Sequence, residues 1–212
     1  MSHWFEYFPS NHMWSQGMMF GIEMSAWGAA ALGEFDQIGQ RRRGHERDNE
    51  LWWSEWTAMA KRIEVSYEGT TFPAWLLKAG TDGPAPAVVM FDGLDNAKEM
   101  SVLFGGVEIA ARGTHVLAID GPGQGEALRL QGIPSHYDYE VPAGAAYDRM
   151  ARRADVDSKR IAVMGFSMGG YYAPRAAAMD PRFAACVAWG GHFDYHESWV
   201  RRRKIMEVSP RC

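Results

Sequence analysis

Cysteine is scarce in this chain: two in 212 residues, Cys186 inside an apolar run and Cys212 at the last position. Two thiols cannot build a disulfide framework, and a reduced, cytoplasmic setting is the expectation. Excess positive charge is lacking too. Lysine and arginine total 22 against 26 aspartates and glutamates, for a formal net charge of −4 and a pI near 6.0. That balance gives no electrostatic footprint for nucleic acid and disfavours anionic membrane surfaces. The start, Met1-Ser2-His3-Trp4-Phe5-Glu6, lacks the basic opening of a signal peptide. The most apolar stretch, between Glu6 and Glu34, carries Glu23 near its centre and is interrupted by Ser, Asn, Gln and Gly. It reads as a buried helix of a cap or partner interface rather than a membrane span. No metal pattern stands out. His192 and His196 lie four apart, but Asp194 and Tyr195 between them do not make His-Glu-x-x-His, so surface or packed histidines are expected and no metal or cofactor.

What is present is ordinary soluble protein: 47% hydrophobic and 23% charged residues, enough for one sizeable core. Residues 1–60 hold Trp4, Trp14, Trp27, Trp52, Trp53 and Trp56, and segments 11–32 and 48–61 read as helices. Asp48 is a plausible N-cap for the second, with Leu51, Trp52, Trp56 and Met59 at helical spacing. Arg41-Arg42-Arg43 between them reads as a solvated linker. From residue 61 the texture changes to strands alternating with helices. Strands are expected at 62–67 and 72–77, joined by a hairpin at Glu68-Gly69-Thr70, then at 87–91, 115–119, 160–164 and 184–189. Helices are expected at about 97–112, 141–154 and 168–179. This alternation implies an α/β fold: a mostly parallel sheet flanked by helices, preceded by a short N-terminal helical segment.

In such sheets ligands bind beyond the carboxyl ends of the strands, and three loops there attract notice. In the first, Val163-Met164 runs into Gly165-Phe166-Ser167-Met168-Gly169-Gly170. A buried strand entering Gly-x-Ser-x-Gly with a helix directly after it is the pattern of a nucleophile elbow, which lifts a serine Oγ into the cleft. Its neighbours two residues away must be small, and the Met168 N–H at the helix start is placed to meet a developing oxyanion. The bland alternative is an incidental glycine-rich turn. The second loop, Phe91-Asp92-Gly93-Leu94-Asp95-Asn96, follows the strand that supplies the other oxyanion donor in these folds. Leu94 N–H is the candidate, with Asp95 near the substrate; the competing reading makes Asp95 the N-cap of the next helix. The third, Asp120-Gly121-Pro122-Gly123-Gln124-Gly125-Glu126, is Gly-x-Gly-x-Gly with a proline inside and a dozen or so loop-like residues after it. It reads as a structural turn beside the cleft rather than a dinucleotide loop.

Together the three loops resemble the 2,6-dihydroxypseudooxynicotine hydrolase group of α/β-hydrolases, to which polyketide-shortening hydrolases and fermentation-respiration switch esterases are similar. The resemblance covers about residues 61–204 closely and the tryptophan-rich start more loosely. It implies Ser167 as nucleophile, Asp95 at a position where the group carries a catalytic acidic residue, a helical cap before the core sheet, and cleavage of esters or of C–C bonds beside ketones. The pattern departs in two places. Trp56-Thr57-Ala58-Met59-Ala60 and Arg62-Ile63-Glu64-Val65, separated by a longer cap in the group, are nearly adjacent here. The fold's chain order is Ser, then Asp or Glu, then His, yet only residues 168–212 follow Ser167. A strand-helix-strand unit takes about 30 residues, so two further strand ends do not fit. His192 or His196 with Asp194 or Glu197 is a remote substitute.

The expectation is therefore an incomplete α/β-hydrolase: residues 1–60 a reduced cap, residues 61–212 a core lacking its last strands. Its catalytic residues are Ser167 and Asp95, its oxyanion hole Met168 and Leu94, and its partner a small-molecule carbonyl substrate. A non-catalytic remnant that binds a ligand or partner in the same cleft is the alternative. An incomplete sheet bares an edge and apolar surface, so aggregation is expected unless a homodimer or partner covers it.

Overall fold

Residues 60–94, 96–191, 193–197, 200, 201 and 203 are described in a computed structural model of the chain. The chain divides into two compact units, Met1–Ser54 and Glu55–Cys212. The first lies outside the described residues, as do the helix expected at 11–32 and most of that at 48–61. The tail of the latter needs correcting: Ala60 and Lys61 are already strand, paired with Leu77 and Leu76.

The second unit is built on a six-stranded mixed sheet in the order β1-β2-β4-β3-β5-β6. Strands β1 (Ala60–Tyr67) and β2 (Thr70–Leu77) form the expected hairpin. Glu68 and Gly69 turn it with φ of 40° and 82°, the left-handed pair that a tight two-residue hairpin requires. In β1, Ile63, Val65 and Tyr67 point inward and their neighbours outward, because only one face of this antiparallel edge meets the core. Strands β3 (Ala85–Phe91), β4 (His115–Ile119), β5 (Val156–Phe166) and β6 (Ala185–Trp189) run parallel to one another. All of β4 is buried, so it reads as an unbroken apolar run rather than an alternating one. Two apolar clusters fill the two faces of the sheet, one around Phe72, Phe91, Ile119, Tyr139 and Met150, the other around Leu77, Met90, Val102, Val116 and Phe166.

Helices join the strands. α1 (Lys98–Ser101) continues through a π-helical stretch, Val102–Gly106, into α2 (Val107–Ala111). α3 (Gly125–Arg129) is a short helix where a loop was expected, and α4 (Glu140–Ala151) and α5 (Gly169–Met179) fall close to their expected places. The sequence hides α3 because Gly121, Gly123 and Gly125 precede it; the Asp120 carboxylate starts it by accepting the Glu126 N–H at 2.9 Å. At the far side, β6 is the edge strand among the described residues, and all five of its residues are exposed. Val187, Trp189 and, just beyond, Phe193 are among the large apolar side chains left in solvent.

Candidate active site

Strand β5 ends at Phe166 and α5 begins at Gly169, leaving two residues to reverse the chain. Ser167 absorbs the turn with φ of 51°, a left-handed conformation that strains a non-glycine residue and is typical of functional positions. Its N–H donates to the Trp189 carbonyl at 2.8 Å, which fastens the elbow to the end of β6, and its side chain is exposed. Small neighbours are required by contact. A Cβ on Gly165 would lie 1.9 Å from the Gly169 carbonyl oxygen, and one on Gly169 would lie 2.3 Å from that of Phe91. A Cβ on Gly170 would lie 2.8 Å from the Gly191 Cα, still too close for any other residue. The expectation of an elbow geometry around Ser167 therefore matches the backbone.

The loop after β3 lies against this turn: a Cβ on Gly93 would be 3.5 Å from Ser167 Cβ. Its conformation is held by Asp92, which is fully buried. One carboxylate oxygen accepts from the Gly93 N–H at 2.8 Å and from Asn96 Nδ2 at 2.9 Å, and the other accepts from Ser101 Oγ at 3.0 Å. Burial pushes the Asp92 carboxyl up to about 6, against the lowering effect of those three donors. Because the Gly93 N–H is spent on Asp92, the next donor along the loop is Leu94 N–H. Among the described residues neither Leu94 N–H nor Met168 N–H has an acceptor. Met168 opens α5, its carbonyl accepting from the Tyr171 and Tyr172 N–H groups. Its own N–H thus lies at the positive end of an 11-residue helix.

Asp95 lies outside the described residues. The competing view of it as a helix cap meets a different arrangement: the N-cap position of α1 is Ala97, and the Lys98 N–H is taken by the Asp120 carboxylate at 2.6 Å. Asp120 is thus the hub of the third loop. It also accepts from Lys98 Nζ at 3.0 Å. Lys98 Nζ in turn meets Glu126 at 2.5 Å and Glu99 at 3.0 Å, and Arg62 pairs with the other side of Glu126 at 2.7 Å. The Arg62 hydrogen bond, with help from Lys98, holds the Glu126 carboxyl down to about 2. Burial works against the charge on Lys98, yet Asp120, Glu126 and Glu99 outweigh it and keep the ammonium charged. Gly125 is obligatory here, since a Cβ would sit 2.2 Å from the Asp120 carboxylate, and Gly121 faces the Tyr139 hydroxyl just as closely. The loop fits the reading of a structural turn. Gln124, Tyr139 and Tyr172, which the sequence did not single out, connect that turn to the other two loops. Gln124 Nε2 donates to the carbonyls of Asp92 and Gly93, and its Oε1 accepts from Tyr139 at 3.0 Å. The Tyr139 ring stacks on Tyr172 of α5 with centroids 3.6 Å apart.

The remote histidine substitutes divide. His192 lies outside the described residues, and His196 is exposed. Asp194 accepts from the Glu197 N–H at 2.9 Å and Glu197 pairs with Arg201 at 2.6 Å, so these carboxylates serve a helix start and a surface ion pair. Among the described residues no side chain hydrogen bonds to Ser167 Oγ, and no cluster of metal-ligating side chains is present. Nor is any helix among them long and apolar enough to cross a membrane. A cavity of about 290 Å³ lined by Lys78, His115 and Asp155 opens at the opposite end of the sheet. Its polar groups are already paired: Ala79 N–H donates to His115 Nδ1, His115 Nε2 meets the Asp155 carbonyl, and Lys78 meets the Asp155 carboxylate at 2.9 Å. Position decides against it, since ligands of these sheets bind at the carboxyl ends of the strands.

The chain is 35% identical over 175 residues to 2,6-dihydropseudooxynicotine hydrolase of Paenarthrobacter nicotinovorans, covering 81% of this chain and 47% of that one. It is 33% identical to Hydrolase acrC of Aspergillus aculeatus, covering 65% of this chain and 36% of that one. The crystal structure of a 2,6-dihydroxy-pseudo-oxynicotine hydrolase superposes with a TM-score of 0.62 at 30% identity, over 81% of this chain and 51% of that chain. The chain thus spans about half, or less, of the length of these relatives. The sheet and its flanking helices are those of the α/β-hydrolase fold. Residues 53–206 match the esterase FrsA-like family, and the chain belongs to it.

Proposed function

We propose that this chain carries the nucleophile and oxyanion hole of a serine hydrolase acting on a carbonyl substrate, an ester or a ketone C–C bond, through an acyl-enzyme. The observation that carries the reading is the left-handed Ser167, exposed at the end of a parallel strand and directly before a helix. Ser167 Oγ attacks the substrate carbonyl carbon as its proton passes to a base. The carbonyl oxygen becomes an oxyanion held by the Leu94 and Met168 N–H groups. Collapse expels an alcohol from an ester, or a carbanion from a ketone, which leaves protonated. Water then releases the acyl group from Ser167. Asp95 is proposed as the acidic residue beside the substrate, as its match to the family's motif implies. In family terms the base is a histidine; without one, oxyanion binding alone still supports about 10³–10⁴-fold over water.

The second reading, a cleft that binds a carbonyl ligand without turning it over, is favoured by the absence, among the described residues, of a side chain bonded to Ser167 Oγ. A fluorophosphonate probe separates the two. Labelling that disappears in Ser167→Ala supports the nucleophile; an unlabelled, folded chain favours the binding cleft.

A further inference from the structure

We propose that Gln124 is a positioning residue that sets the direction of the Leu94 N–H and ties the oxyanion loop to the elbow helix. The inference rests on the reading of the cleft as a serine-hydrolase site. The Gly93 carbonyl and the Leu94 N–H belong to one planar peptide unit, and the chain has no cis peptide bond among its described residues. In a trans unit the two groups point in opposite directions. Gln124 Nε2 takes the Gly93 carbonyl at 3.2 Å and the Asp92 carbonyl beside it, so it fixes the side of the loop on which that oxygen lies. The Leu94 N–H is thereby turned away from the buried amide. Gly93 itself abuts Ser167, so a rotation of this peptide unit is felt next to the nucleophile.

The amide cannot rotate freely, because its other end is held. Gln124 Oε1 accepts from Tyr139, whose ring lies flat on Tyr172 of α5 and edge-on to Phe91 at the end of β3. Tyr139 is wholly buried, and burial raises its hydroxyl well above the ordinary phenol range, so it stays a donor at every working pH. The two carbonyls can only accept, so they require Nε2 to face the loop, which leaves Oε1 to accept from Tyr139. The two proposed oxyanion donors, Leu94 after β3 and Met168 at the head of α5, are therefore linked through Gln124, Tyr139 and Tyr172 rather than placed independently.

The test uses the full chain with Gln124→Met, which keeps the length and loses both hydrogen-bonding ends, and Gln124→Glu. The glutamate accepts from Tyr139 but, when ionised, sets an oxygen against the two carbonyls. Circular dichroism checks folding. Hydrogen exchange is read first at the peptide spanning residues 92–96 and at β4 and β5. The expected result is faster exchange at 92–96 in both variants with β4 and β5 unchanged; in Q124E the protection factor returns as pH falls and the carboxyl becomes a donor. Exchange at 92–96 equal to wild type, or a loss spread evenly over the sheet, overturns the role. In a chain that turns over an acyl ester, kcat in Q124M is expected to fall about 10- to 100-fold with KM little changed. A normal kcat overturns the link to catalysis. A wild-type chain that neither labels with phosphonate nor hydrolyses esters sinks the hydrolase reading instead, and the exchange data still decide whether Gln124 holds the loop.

Discussion

Gly165→Ala is the sharpest perturbation of the elbow. The added Cβ would lie 1.9 Å from the Gly169 carbonyl oxygen and 2.1 Å from its carbon. Real Cβ atoms essentially never approach another atom within 3.0 Å, so at least about 1 Å of movement is needed. Both contacted atoms are backbone, and no side chain can swing aside. The movement must come from the turn that strains Ser167 or from the start of α5, whose next residue, Gly170, is itself pressed against Gly191. Overpacking of this kind costs about 1–3 kcal/mol and occasionally more; with rigid backbone on both sides the upper end applies. For a domain of this size about 3 kcal/mol corresponds to a fall in Tm of roughly 6–12 °C. Gly80→Ala is the control, because nothing lies within 4 Å of its Cβ position, and a change within about 0.5 kcal/mol is expected. Thermal unfolding by circular dichroism measures both, alongside the rate of phosphonate labelling. A Gly165→Ala chain as stable as Gly80→Ala and labelled at the wild-type rate would refute the reasoning that close packing forces this turn.

Lys98→Met leaves the buried Asp120 carboxylate without its cation, so a loss of about 3–5 kcal/mol is expected in urea denaturation, and a loss below about 1 kcal/mol would contradict the ion-pair account. Asp92 gives a pH dependence. Its folded value of about 6 exceeds the ordinary carboxylate value, so its contribution to stability is fully present below about pH 4 and is lost as pH rises through about 6. Asp92→Asn can keep all three bonds, with Ser101 turned to accept. The variant should therefore gain on wild type as pH rises from about 4 to about 6 in paired denaturation curves; a constant difference across that range would count against a raised Asp92. At the exposed edge, Val187→Lys places a charge where β6 has none, and light scattering should show less concentration-dependent association with Tm unchanged. Equal scattering would move the association surface elsewhere.

Strand and helix order was legible because each buried parallel strand is a short apolar run and each helix follows a loop rich in glycine or aspartate. Ser167 was legible for a related reason: the demand for small residues at 165 and 169 is written in the sequence as glycine. α3 was hidden by the glycines before it, since helix propensity is weak where a distant carboxylate supplies the cap. Gln124 was missed for a deeper reason. Its partners are main-chain carbonyls of residues 92 and 93, about thirty positions away, and a backbone acceptor leaves no mark on residue type. Asp92 is similar: Phe-Asp-Gly-Leu-Asp drew attention to Asp95, whereas the described carboxylate that shapes the loop is the earlier one. The buried Lys98 would have been readable only by knowing that β4 brings Asp120 beside it.

The measurement that bears most directly on the central claim is intact-mass and peptide mapping of the full chain quenched during exposure to an activated acyl ester. The expected result is one added acyl group on the peptide containing Ser167, absent from Ser167→Ala. Ester turnover with no such adduct, or turnover unchanged in Ser167→Ala, would contradict it.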